Sequence, residues 1–339
     1  MATASRLTLP PISALFQDPF SSDNYEIPLK DENQGSRCEL KAYDARINAK
    51  GDRIYLHAGT RRSFDPQTST ENHESALVQT KFYDREGDLG YTETEVRSPH
   101  IKEALMGVVG EDYPDLAIKS EKLVMKNFKQ CLFHYHKELR EYGKTLNDPV
   151  AANHLDFALQ HLYKELGHEM QIFQHNVEAE GVEPRLDFSN LWMAFKPGDL
   201  VRRKIRDIDC VYRIVDTRYE PSFFWDTSFY ITLSSLNFDG DYFGYTMTPS
   251  IIRPFSCPGF TRLKELPINP LRHMSEKERC AIIDSALARG KRFIELSSTI
   301  HHCEYSGIAD ILTHFSEERD EYESKPMMVL YTPSFSAQP

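Results

Sequence analysis

Two helical stripes, laid end to end between two stretches that alternate like strands, constrain this fold more than any other feature. From Lys122 the apolar positions Val124, Phe128, Cys131, Tyr135, Leu139 and Tyr142 recur at helical spacing. Gly143 reads as the stop. Asp148-Pro149 then supplies an N-cap and a proline at the first helical position, and a longer stripe follows through Leu155, Leu159, Leu162, Leu166, Met170, Phe173 and Val177. Gly181 closes it. Each helix must bury its stripe, so the pair predicts a helical hairpin packed on itself or on the flanking sheets.

The flanks have a period of two. Upstream, RCELKAYDARINAKGDRIYLHAG places two strand-like runs around Lys50-Gly51-Asp52, and residues 76–84 and 91–97 read as strands around the turn 85–90. These predict a small N-terminal antiparallel sheet. Residues 60–75 read as a polar loop, and Ser98-Pro99 starts a helix. Downstream, PGDLVRRKI, CVYRIVDTRY, SFYITLSSLNF and DYFGYTMT read as successive strands, with Asp239-Gly240 as a hairpin signal. They predict a bent antiparallel sheet or partial barrel. A capping box from Ser275 to Glu278 opens a last helix, expected to run to Leu287 and end at Gly290, with residues 293–296 as a strand. The fold class is therefore α+β. The expected divisions are a disordered arm (1–35), a small β unit (36–97), a helical segment (98–187), a barrel-like unit (188–272) and a C-terminal helix with a loose tail (273–339).

Composition excludes several functions. The 339 residues carry a net charge of −11, which argues against a general nucleic-acid binder, because neutralising phosphates needs a basic face. The local cluster Lys196, Arg202, Arg203, Lys204 and Arg206 reads as a solvated strand edge. The aromatic concentration Trp192, Phe195, Phe223, Phe224, Trp225, Phe229 and Tyr230 reads as packing rather than base stacking. The six cysteines, Cys38, Cys131, Cys210, Cys257, Cys280 and Cys303, are scattered without metal-ligand spacing. No secretory signal or membrane span is legible, so the chain is expected inside the cell, in cytoplasm or nucleus.

Candidate chemistry is thin. No phosphate-binding loop GxxxxGK[ST] occurs: Gly143-Lys144-Thr145 has Glu at position 138, and Arg289-Gly290-Lys291 has Ser at 285. His154, His161, His168 and His175 stand seven apart, too far along one helix to converge on a metal, and read as a polar flank. His134 and His136 diverge on a helix. His301-His302-Cys303, with His314 nearby, has ligand types without zinc spacing. No catalytic residue, cofactor or metal is assigned. The recognition surface is placed at the loop Asp239, Asp241, Tyr242, Phe243 and Tyr245, with the groove between its sheet and the helical hairpin. Two further readings remain: a metal-assisted enzyme using His301, His302 and Cys303, and a nucleic-acid module using the basic cluster.

A set of landmarks goes beyond composition. LFHYHKELREY (132–142), HLDFALQHLYKEL (154–166), LDFSNLWMAFKPGDLV (186–201), LNFDGDYFG (236–244), ELPINPL (265–271) and ARGKRFIELSSTIHHCEYSGIA (288–309) occur in this order. The series resembles the N-terminal domain of unknown function, with its flanks, of fungal AAA+ ATPase family proteins. The resemblance covers just over half the chain. It implies a regulatory or recruiting region that precedes a hexameric ATPase ring, with a protein partner that could be an AAA+ ATPase. Beyond Ala309 the similarity ends: the chain runs into KPMMVLYTPSFSAQP, without the family's joining segment or its GPPGxGKT-like loop. The family's catalytic residues lie in that part, so none transfers here.

Overall fold

The computed structural model describes residues 34–60, 63–64, 74–110, 113–114, 116, 123–205, 207–221, 227–238, 242–254, 259–298, 304–314 and 321–330. The disordered arm expected at 1–35 lies almost wholly outside them, as do the tail 331–339 and most of the polar loop 60–75. The chain divides into two compact units, residues 1–236 with 245–279, and residues 237–244 with 280–339.

In the first unit, six strands form one sheet in the order β3-β2-β1-β4-β5-β6. They are β1 (Arg37–Ile47), β2 (Arg53–His57), β3 (Ser63–Phe64), β4 (Ser75–Tyr83), β5 (Leu89–Val96) and β6 (Leu123–Met125). The β1–β2 turn forms where the sequence places it. Asn48 Oδ1 accepts the backbone N–H of Lys50 at 2.8 Å and of Asp52 at 2.9 Å, while Gly51 takes φ +89°. The expectation of an antiparallel sheet needs one correction, because β1 and β4 run parallel. The β2 hairpin already occupies one edge of β1. The chain returns along the other edge after a connection long enough to reverse direction.

Three helices follow: α1 (Pro99–Val108), α2 (Phe128–Thr145) and α3 (Pro149–Phe173). Ser98 caps α1 and Asp148 caps α3, each accepting a first-turn N–H, with proline just inside as the sequence predicts. Gly143 does not stop α2, which continues to Thr145. It sits where the two helices approach closely: a Cβ there would lie 3.3 Å from Leu155 Cδ2. Lys129–Glu165 at 3.2 Å and Lys137–Glu178 at 2.8 Å bridge the hairpin's outer face. α3 is interrupted at Leu166, beside Gly167, and passes into a wide turn, Gln174–Glu178, before Gly181 reverses the chain at φ +74°.

The second sheet is antiparallel, in the order β11-β10-β9-β8-β13, and is open, not a closed barrel. The strands of this half are β7 (Arg185–Leu186), β8 (Leu200–Ile205), β9 (Ile208–Pro221), β10 (Thr227–Phe238), β11 (Phe243–Ile252), β12 (Thr261–Arg262) and β13 (Ile268–Pro270), with β7 and β12 forming a separate pair. A 3-10 segment, Phe188–Ala194, inserts Leu191, Trp192 and Met193 beneath the helices. The interval between hairpin and sheet is therefore filled. Phe133 meets Trp192 edge-on at 5.2 Å, Phe195 meets Phe229 at 5.6 Å, and one continuous apolar core runs from the first sheet through the helices to the second. Among the described residues, this packing leaves no groove where one was expected.

α4 (Glu276–Ser298) opens on the predicted capping box: the Ser275 hydroxyl donates to Glu278 at 2.6 Å, and Glu278 N–H returns to Ser275 at 3.4 Å. It does not end at Leu287 or Gly290. The helical period continues through Ile294, so residues 293–296 extend the helix instead of forming a strand, and one interior glycine costs only about 1 kcal/mol. The remaining chain is not a loose tail throughout, since β14 (Glu304–His314) and β15 (Glu321–Leu330) pair antiparallel.

A buried polar clasp fixes the first strand. His154 donates Nε2–H to the Ser36 carbonyl at 3.2 Å and accepts the Ser98 hydroxyl at Nδ1 at 2.9 Å, while Ser98 Oγ accepts the Ile101 N–H. Gly35 lies beside it at φ +70°, and a Cβ there would come within 2.5 Å of Arg97 C and Ser98 N. Gly35→Ala is expected to cost at least about 2 kcal/mol, because neither the backbone angle nor the two backbone atoms can yield cheaply. Urea unfolding of the variant checks this; unchanged stability would mean the strand entry is not seated there.

Candidate functional site

The predicted recognition loop joins β10 to β11, and all of it but Tyr245 falls in the second unit. Asp239 and Asp241 lie outside the described residues. Tyr242 and Phe243 do face solvent, at 78% and 42% exposure. Phe243 packs on Phe238 with ring centroids 4.8 Å apart, and on Phe293 of α4 at 6.1 Å. Phe243 is thus an exposed ring braced by two others. Tyr245 is half-buried and belongs to the body of β11, in the other unit. Of the predicted set, Tyr242 and Phe243 thus lie at the hairpin end and Tyr245 within the strand.

In the first unit the chain forms a cleft of about 230 Å³, which the sequence did not disclose. Glu183, Arg202, Lys264, His273, Ser275 and Glu278 stand around it. Its floor is set by Asn269, whose Nδ2 donates to the carbonyls of Leu263 at 2.7 Å and Leu266 at 2.9 Å. Its charged side chains have partners close by. Lys264 and Arg262 both pair with Glu183, and the hydrogen bond from Lys264 holds that carboxyl below its usual range. Arg202 lies 3.3 Å from Asp209. The Ser275 hydroxyl likewise holds Glu278 low. His273 is pushed down to about 3 by burial, so it is a neutral wall of the cleft at physiological pH.

The other buried polar groups serve packing. His134 donates Nε2–H to the Trp192 carbonyl at 3.0 Å, leaving Nδ1 to accept from the Tyr113 hydroxyl at 3.0 Å. Burial pushes it down to about 3, with the positive charges of Lys196 and Arg272 adding to the effect. Lys196 lies 3.5 Å from the centre of the Tyr135 ring and 3.6 Å from Glu138, and burial lowers its pKa. Asp199 pairs with Arg272 at 3.0 Å, yet burial still raises its carboxyl.

Several sequence candidates come apart. The heptad histidines are not one polar flank: His168 and His175 are exposed, His161 is half-buried, and His154 forms the internal clasp. The basic residues do not make one strand edge. Arg202 and Arg203 lie on β8, paired to β9 on one side and β13 on the other, while Lys196 is buried against Tyr135. Arg206, Phe223, Phe224, Trp225, His301, His302 and Cys303 lie outside the described residues. Trp192, Phe195 and Phe229 are core. Gly143-Lys144-Thr145 is the last turn of α2, where Thr145 donates to the Tyr142 carbonyl and Lys144 pairs with Glu141. Among the described residues, no three His, Cys, Asp or Glu side chains converge as metal ligands, and no helix is long and apolar enough to cross a membrane.

Residues 177–275 match a family described as a domain of unknown function, DUF7025. The matched segment begins in the wide turn after α3, takes in the whole second sheet with the hairpin tip, and ends on the Ser275 cap of α4. Comparisons with curated proteins and with solved structures return no match.

Proposed function

We propose that the chain is a non-catalytic binding module that engages a protein partner through the β10–β11 tip. The observation that carries this reading is the pair Tyr242 and Phe243, both exposed to solvent, with Phe243 braced by Phe238 and Phe293. Aromatic side chains are enriched at protein interfaces because they bury much area for few lost rotamers. A ring already packed against its neighbours, as Phe243 is, loses less freedom on docking than an unpacked one would. The sequence landmarks supply the class of partner, since they resemble the region preceding the motor of fungal AAA+ ATPases. An ATPase of that class, met inside the cell, is therefore the partner we propose.

A photo-crosslinking residue introduced at Tyr242 should capture one discrete species in cell extract, and mass spectrometry should identify it as an AAA+ ATPase. Tyr242→Ala with Phe243→Ala should weaken binding of that ATPase at least about tenfold. The melting temperature should stay within about 2 °C, because these side chains lie outside the core. An unfolded double variant would make them core residues. Undiminished binding would remove the tip from the interface.

A further inference from the structure

The α4 helix carries a second exposed surface, whose pattern matches itself. Ile283, Leu287, Gly290 and Ile294 recur at intervals of four, three and four, which places them on one face of a helix. Leu287 is 56% exposed and Ile294 42%, and Phe293, on the flank, is 40% exposed. Leu287 and Ile294, two turns apart, thus hold apolar side chains in water, with Ile283 half-buried on the same face, which is uncommon on a surface unless something covers it. On either side of this stripe lie residues of contrasting size and sign: Asp284 and Lys291 on one flank, Ala286 and Phe293 on the other.

We propose that this face pairs antiparallel with α4 of a second copy of the chain. With the two-fold axis beside residues 288–289, Leu287 lies opposite the partner's Gly290 and Ile283 opposite the partner's Ile294. Asp284 then faces the partner's Lys291, and Ala286 faces the partner's Phe293. Symmetry makes each contact twice. The register therefore sets large against small at Leu287 and Phe293, and acid against base along one edge. Size complementarity lets the helices approach closely and fill the seam. A parallel pair would instead place Gly290 against Gly290 and leave a gap in the seam. Charge along the helix favours the same direction. Its first half, with Glu276, Glu278 and Asp284 against Lys277 and Arg279, leans acidic; its second, with Arg289, Lys291 and Arg292 against Glu295, is basic. Antiparallel pairing lays one half on the other.

Sedimentation of the full chain from about 1 to about 200 μM tests this, since one helix pair gives an interface at the small end of the range for stable complexes. The expected result is a mass that doubles with concentration, with a midpoint in the micromolar range. Leu287→Glu with Ile294→Glu should hold the chain monomeric with unchanged circular dichroism. Asp284→Lys should weaken the dimer at least about tenfold, and adding Lys291→Asp should restore it to within about threefold, because both symmetry-related copies of the pair are then reversed. That charge swap decides the matter even if the glutamate variant fails to fold. Tyr242→Ala is the control: it bears on the hairpin tip and should leave the dimer intact. A monomer at every concentration would overturn the proposal, as would a dimer indifferent to Leu287→Glu with Ile294→Glu, or a swap that restores nothing. A monomer that instead sediments with phosphatidylserine vesicles would also overturn it, and would give the face to a lipid surface.

Discussion

The free energy of unfolding is expected to fall by about 4 kcal/mol between pH 7.5 and pH 5. His134 and His273 together account for this amount, each held down to about 3 by burial. The sign follows from the direction of the shift. In the unfolded chain both rings bind a proton near pH 6.5; in the folded chain they resist it. The stability they contribute is complete above pH 6.5 and drains as pH falls toward 3, at about 2 kcal/mol each by pH 5. Burial lowers His136, His154 and His161 as well, which steepens the same limb. Asp199 works the other way, since its raised carboxyl takes up a proton more readily in the fold. Urea denaturation at a series of pH values checks this. A flat profile from pH 7.5 to 5 would mean that these rings are hydrated in solution.

Phe195→Ala should cost about 3–5 kcal/mol, the range for removing a fully buried aromatic ring. Phe195 is completely buried and meets Phe229 edge-on at 5.6 Å, at the point where the 3-10 segment hands over to the second sheet. The contrast with Phe243→Ala is the sharper test. That ring is 42% exposed, and its loss should change stability by no more than about 1 kcal/mol. Equal effects at the two positions would contradict the division into core and surface aromatics.

The sequence disclosed what is local. Ser98, Asp148 and Ser275 cap the helices they were expected to cap, because a cap is decided within four residues. Lys50-Gly51-Asp52 turns for the same reason. Features set by distant partners were not legible. The parallel union of β1 with β4 depends on which sheet edge is already occupied. Gly143 and Gly290 looked like stops because glycine so often ends a helix, yet one admits Leu155 and the other lies within α4. Of the candidate site, exposure at Tyr242 and Phe243 could be anticipated from a turn signal flanked by aromatics. The bracing of Phe243 by Phe293, some fifty residues on, could not. The cleft lined by Glu183, Lys264 and Glu278 joins three segments that no spacing rule connects.

The Ser36–His154 hydrogen bond spans 118 positions of the chain. On a ribosome extending at about 5–20 residues per second, Ser36 therefore waits on the order of ten seconds before the imidazole that anchors it exists. Throughout that interval the entry to β1 is untethered, which makes those seconds of synthesis, rather than the finished molecule, the period in which chaperones have most to protect.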